Sequence, residues 1–152
     1  MAKLSPKSVL RDTFPASPLD AVLGKRKITK EDVAALRRSD LGLGLRSRAE
    51  AEAMLAIERG RGEKCRAWGD LLVELLSDFV VWDQRPSGIL TEDTATWLSD
   101  QVGETPTPAC LALLMAVMDD AETVPAWFVP AVRLRASKVF GRQAIETLRQ
   151  DA

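Results

Sequence analysis

Three carboxylates, Asp70, Glu74 and Asp78, recur at intervals of four in the segment Lys64–Asp83, KCRAWGDLLVELLSDFVVWD. On a helix that interval puts them on one side. A row of acids could face a second acidic row around two metal ions, or pair as general acid and base. The di-metal option needs a Glu-x-x-His motif, and the chain contains no His. Lacking His and Tyr, it is also closed to Ser-His-Asp and Cys-His catalysis, to His-ligated zinc or haem, and to histidine pH switching. Arg66, four residues before Asp70, points to a surface ion pair, so the row reads as a solvated face or an acidic docking surface.

Other chemistry-bearing residues are few. Cys65 and Cys110 belong to no CxxC motif and no larger cysteine framework, which predicts free core thiols in a reducing compartment. Arg133, Arg135, Lys138 and Arg142 make a basic patch with only Phe140 nearby, too little positive and aromatic character for a nucleic-acid module. Trp68 and Trp82 fall on the apolar stripe of their segment and are expected in the core. Trp97 lies off the stripe of its helix and Trp127 follows Pro125, so these two are the candidate interface anchors. The site residues expected from sequence are therefore a protein interface of Trp97, Trp127, Asp70, Glu74 and Asp78, with no catalytic, metal or cofactor site.

The positioning elements are helical. Trp68, Leu72, Leu75, Phe79 and Trp82 recur at helical spacing, and Leu71, Leu76 and Val80 widen the stripe beyond what one partner could cover. That predicts a central apolar helix at about residues 64–83 with neighbours around it. Thr29 caps a short helix ending near Asp40, with Glu31 and Asp32 in its first turn and Val33 and Leu36 inward. Ser47-Arg48-Ala49-Glu50 reads as a capping box for a helix packed through Ala51, Met54, Leu55 and the stem of Glu58, and ended by Gly60 and Gly62. Thr91 caps a helix with Ala95, Leu98 and Val102 inward and Gly103 at its end. Thr107-Pro108 starts another, with Cys110, Leu111, Leu114, Met115, Val117 and Met118 inward and Asp119-Asp120 at its C-terminal end. Pro125 opens the last segment; Pro130 demands a kink or a fresh start, Val129, Val132, Val139 and Phe140 pack, Gly141 breaks the helix, and Ile145 and Leu148 anchor a short final turn. Residues 1–27, with Pro6, Pro15 and Pro18, read as an extended arm docked through Val9, Leu10, Phe14, Leu19 and Val22, with Lys25-Arg26-Lys27 as a solvated hinge. No convincing strand is found; the alternation at Leu41–Leu45 is spoiled by its glycines.

Gly44-Leu45-Arg46-Ser47 and Gly88-Ile89-Leu90-Thr91 repeat at an offset of 44, each leading into a helix. The pattern is that of the second half of an EF-hand loop, where a Gly turns the chain at position six. The ligand positions one, three, five and twelve would be Ser39, Leu41, Leu43 and Glu50 in the first loop, and Asp83, Arg85, Ser87 and Thr94 in the second. Calcium needs six to eight oxygens with several carboxylates, and these loops do not supply them. Together with the Trp68–Trp82 segment, the Arg85-Pro86-Ser87-Gly88 turn and the Thr91–Leu98 helix, the two loops resemble a group of small, all-helical, uncharacterised bacterial proteins with degenerate EF-hand-like turns. More distantly they are similar to tellurite-resistance TerB-type helical domains. The resemblance covers about residues 28–135; it implies a helical bundle and a bacterial, cytoplasmic setting, and no reaction.

The chain has 152 residues and a net charge of −1, which hides +6 over residues 1–66 (15 Lys and Arg, 9 Asp and Glu) and −7 over residues 67–152 (6 and 13). Such a split reads either as helices that intermix in space or as a basic face that meets an acidic partner or nucleic acid. No secretory signal or bilayer-spanning segment is read. The expectation is an all-α protein: an arm at 1–27 and, at 28–152, a single compact bundle of five to six helices with two EF-hand-like helix-turn-helix repeats. Functionally it is expected to be a non-catalytic protein-protein interaction or scaffold module, binding another protein or itself and needing no cofactor. The alternative is an ion-sensing regulator built on the degenerate loops.

Overall fold

A computed structural model describes residues 17–151, and side chains for residues 17–141. The fold is all-α. In chain order the elements are a 3-10 turn Pro18–Ala21, β1 Lys27–Ile28, α1 Lys30–Arg38, a 3-10 turn Asp40–Leu43, α2 Arg48–Arg59, β2 Glu63–Lys64, α3 Arg66–Val81, α4 Glu92–Val102, α5 Pro108–Asp120 and α6 Phe128–Asp151. Among the described residues no helix is long and apolar enough to cross a membrane.

Side-chain caps start four of these helices where the sequence places them. Thr29 and Asp32 form a complete capping box: the Asp32 amide donates to Thr29 Oγ1 at 3.3 Å, and the Thr29 amide to Asp32 Oδ2 at 2.9 Å. The Lys25 ammonium on Asp32, with the Thr29 amide, holds that carboxyl below its ordinary range. Thr91 accepts from the Thr94 amide and Thr107 from the Cys110 amide. At α2 the Ser47 hydroxyl accepts from the Glu50 amide as expected, but Glu50 does not close the box on Ser47. Its carboxylate reaches one residue further, to the Arg46 amide at 3.0 Å, and also accepts from Ser17 Oγ at 3.1 Å. Buried Glu50 thereby ties the end of the N-terminal segment to the start of α2. Leu19 and Val22 are buried in the core; Val9, Leu10 and Phe14 lie outside the described residues.

α3 supplies the largest share of the core, with Trp68, Leu71, Leu72, Leu75, Leu76, Phe79, Val80 and Val81 all buried. It lies along α5 and also touches α1 and α2, while α4 packs on α2 and α6 on α5. α3 and α5 run parallel. Near their starts a Cβ on Gly69 would lie 3.6 Å from that of Ala109, and near their ends Asp78 feels the charge of Asp120.

Several expectations are corrected. Trp82 caps the C-terminus of α3 and is 45% exposed, because the helix ends before the stripe can carry it into the core. Met115 is exposed and Leu113 buried, since α5 meets α3 on one side and α6 on another. Phe128, just after the proline turn, is fully buried, whereas Phe140 is exposed. Pro130 sits in the first turn of α6, where its missing amide costs nothing, so the segment makes a fresh start and has its proline inside the new helix. Gly141 does not break that helix, which continues to Asp151. The side chains of Ile145 and Leu148 lie outside the described residues.

A strand pair is present after all. β1 and β2 are parallel, with Lys27 opposite Glu63 and Ile28 opposite Lys64. Two residues are too few to show a period of two. Gly62, at φ +136°, leads into β2 so close to the Arg26 carbonyl that a Cβ would stand 2.9 Å from the oxygen. The exposed Lys25-Arg26-Lys27 run thus leads into a strand. Gly44 and Gly88 both take positive φ, +121° and +83°. Ile89 bridges Thr123, and the Leu90 amide donates to the Thr123 carbonyl at 2.9 Å; among the described residues the two glycine loops do not pair with each other.

Gly69 has room for a methyl group in ordinary contact with Ala109. Gly69→Ala is expected to raise stability by about 0.5–1 kcal/mol, from the helix preference of Ala over Gly, as read by urea unfolding.

Candidate functional site

Asp70, Glu74 and Asp78 are all exposed along one edge of α3. The ion pair expected between Arg66 and Asp70 is absent among the described residues. Glu74 instead meets Arg37 of α1 at 2.8 Å, an exposed pair contributing at most about 1 kcal/mol. Partial desolvation pushes the Asp78 carboxyl up, and the charges of Asp83, Glu74 and Asp120 add to it. The three acids do not converge on a cavity. Among the described residues no three Cys, Asp and Glu side chains form a group that could hold a metal ion.

The tryptophans follow a common scheme. Trp68 is fully buried and donates its indole N–H to the buried Glu58 carboxylate at 3.0 Å. Trp97 is half-buried; it donates to Glu52 at 2.7 Å, packs edge-on against Phe79, and carries the Arg48 guanidinium 5.0 Å above its ring. Trp127 is 37% exposed, donates to Glu92 at 2.6 Å and packs edge-on against Phe128. Trp82 has no hydrogen bond to its indole among the described residues, and its ring lies against Gly88. Asp83 reaches to 3.9 Å from where a Cβ on Gly44 would be, so Trp82 and the 91% exposed Leu43 flank one contact.

The basic patch expected near the C-terminus is partly spent on structure. Arg135 donates to the Gly103 carbonyl at 2.8 Å and to the Ala131 carbonyl at 3.1 Å, and Lys138 lies 3.8 Å from Glu104. Arg133 is exposed; the Arg142 side chain lies outside the described residues.

A cleft of about 710 Å³ lies at the starting ends of α3 and α5, closed on one side by the loop from α2 to β2. Three cations line it: Arg59 at the end of α2, Lys64 in β2 and Arg66 at the first position of α3. Arg59 donates to the Gln101 carbonyl at 2.7 Å, and Lys64 to the Gly60 and Gly62 carbonyls at 2.8 and 3.3 Å. Among the described residues none of the three has a carboxylate within ion-pair distance. Cys65 is the N-cap of α3, and its side chain makes no capping bond. Val73, Pro108, Ala109 and Ala112 give the rest of the wall an apolar character. Cys110 lies behind it; burial pushes its thiol up, the Thr107 hydroxyl pulls it back, Glu58 raises it again and Arg59 opposes. That thiol is a fully buried core residue. Sequence reading missed the cleft because Gly60 and Gly62 look only like a helix end, and the cations belong to three separate elements.

No family model, curated protein or solved structure matches the chain.

Two substitutions test these environments. Trp68→Phe removes the donor to Glu58 and is expected to cost about 1–3 kcal/mol in urea unfolding from the unsatisfied buried carboxylate. Asp78 has a raised folded carboxyl, so the folded state binds the proton more tightly than the unfolded state. Its ionisation therefore destabilises the fold as pH rises through the raised value, and the effect is absent below the unfolded value. Asp78→Asn should raise Tm at pH 7, with the gain shrinking to nothing as pH falls below the carboxylate range, as read by thermal melts.

Proposed function

We propose that the chain is a non-catalytic helical interaction module. It docks another protein, of basic character, at the end of the bundle where α3 and α5 finish. The observation that carries this reading is Trp82: a large aromatic, 45% exposed, with no indole partner among the described residues, next to Asp83, which reaches the Gly44 turn that follows the 91% exposed Leu43. Exposed aromatics of this kind anchor interfaces. The surroundings are acidic, with Asp78, Asp83, Asp120 and Glu122 close by. Helix C-termini carry partial negative charge, and neither α3 nor α5 has a basic residue in its last turn. A cationic partner would relieve that repulsion. Asp70 and Glu74 extend the acidic edge along α3, and Trp127 and Trp97, each held by a Glu, are secondary anchors on the flanks.

This reading takes α3 as the centre of the bundle and the Gly44 and Gly88 loops as turns without an ion. The likeness to degenerate EF-hand helical proteins rests on those two turns. Their shared positive φ is also the one observation that favours the ion-sensing alternative. That alternative requires millimolar calcium to raise Tm, and an unchanged melt removes it.

The direct test is a pull-down from cell lysate with the tagged protein at low and moderate salt, wild type beside Leu43→Ser/Trp82→Ser. A stoichiometric basic partner, held less well at moderate salt and reduced at least tenfold by the double variant, is the expected result. Retention unaffected by the variant refutes the surface, and a larger species in sedimentation without any partner points to self-association.

A further inference from the structure

We propose that the cleft at the starting ends of α3 and α5 binds an amphipathic anion, a carboxylate or phosphate head on an aliphatic body. The site is separate from the acidic docking end and does not depend on it.

The cleft has the size of a small-molecule site and the same division of labour, an apolar wall with a few polar groups at one place. Its charged groups are three cations and two carboxylates, those of Glu58 and Asp70. Arg59 and Lys64 are each held by backbone carbonyls, which fixes where they are without neutralising them. A guanidinium has five N–H donors and an ammonium three, so both keep donors for a ligand. Arg66, at the first turn of α3, lines the same cleft. Of the acids in the wall, Glu58 is engaged by the Trp68 indole, and Asp70 lies a turn further along the exposed edge of α3. The positive ends of two parallel helices add to the three cations, an excess of positive charge that an anion would offset. The cavity gathers three cations that have no carboxylate within ion-pair distance among the described residues, and the helix ends only reinforce their sign.

The rest of the wall selects the body of the ligand. Val73, Pro108, Ala109 and Ala112 run along the groove between the two helices, with small residues keeping it open. Trp68 is fully buried and offers no face for a base, so the wall suits an alkyl chain better than a nucleotide.

The test is calorimetric titration of the full chain with decanoate, decyl phosphate, decanol and inorganic phosphate, with circular dichroism confirming that the fold persists. Decanoate or decyl phosphate is expected to bind in the micromolar range, at least tenfold more tightly than decanol or inorganic phosphate. The tighter of the two identifies the head group. Lys64→Gln/Arg66→Gln should weaken binding at least tenfold, and Ala112→Trp, filling the groove from an exposed position, should abolish it. Asp83→Lys at the far end should leave it unchanged. No binding by either amphiphile below millimolar concentration, equal binding of decanol, equal binding of inorganic phosphate, or unaltered affinity in both cleft variants would each overturn the proposal.

Discussion

Two helices that lie side by side and point the same way cannot be joined by a short turn, and the parallel contact of α3 with α5 imposes this on the rest of the chain. The segment from Trp82 to Thr107, with α4 in it, is the return path, and α4 finds its own support on α2. The contact depends on small residues where the helices start, Gly69 against Ala109, and it covers much of an apolar perimeter too wide for one partner. It also aligns the helix dipoles, so like ends sit together. Antiparallel neighbours would cancel those fields, and here they add. The charged side chains do not compensate: Lys64 and Arg66 stand at the positive ends, and Asp78, Asp119 and Asp120 at the negative ends. The bundle is thus electrically polar along α3, and its two candidate binding regions are the two poles.

Three of the four tryptophans end on a glutamate. In each case the ring supplies apolar area and the carboxylate satisfies the N–H that such area brings with it. The scheme works at full burial, as in Trp68 with Glu58, and at the surface, as in Trp127 with Glu92. It also joins elements distant in sequence, since Glu52 of α2 holds Trp97 of α4. Among the described residues Trp82 has no such partner, since it follows the last residue of α3, where the chain turns away.

The helices were largely legible because their signals are local. Thr29, Ser47, Thr91 and Thr107-Pro108 cap as their positions predict, since a cap needs only the amides two or three residues on. The inward faces of α1, α2 and α4 follow from spacing alone. The failures share one cause, dependence on residues far away in sequence. Met115 and Leu113 exchange roles because burial on α5 is decided by where α3 and α6 lie. Phe128 is buried by a packing arrangement that no period announces, and Gly141 stays helical because one glycine weakens a helix by only about 1 kcal/mol. Glu50 has the spacing of a capping box, yet a hydroxyl from Ser17 and the amide of Arg46 compete for it. The cleft is the least legible feature, since its cations become neighbours only when α2, β2 and α3 are brought together.

The two-residue pairing of β1 with β2 makes a closed ring of the chain between them. Arg26 and Ile28 accept from the amides of Glu63 and Cys65, so α1 and α2 hang from a clasp whose two sides enter and leave at the same place. The entropy of closing that ring is spent once, at the clasp, and it is returned when the clasp opens. The clasp is a short ladder with the tight passage of Gly62 beside it, and its β2 side is also a wall of the cleft. The cleft wall therefore draws on α2, β2, α3 and α5 at once, and its shape depends on the clasp being closed.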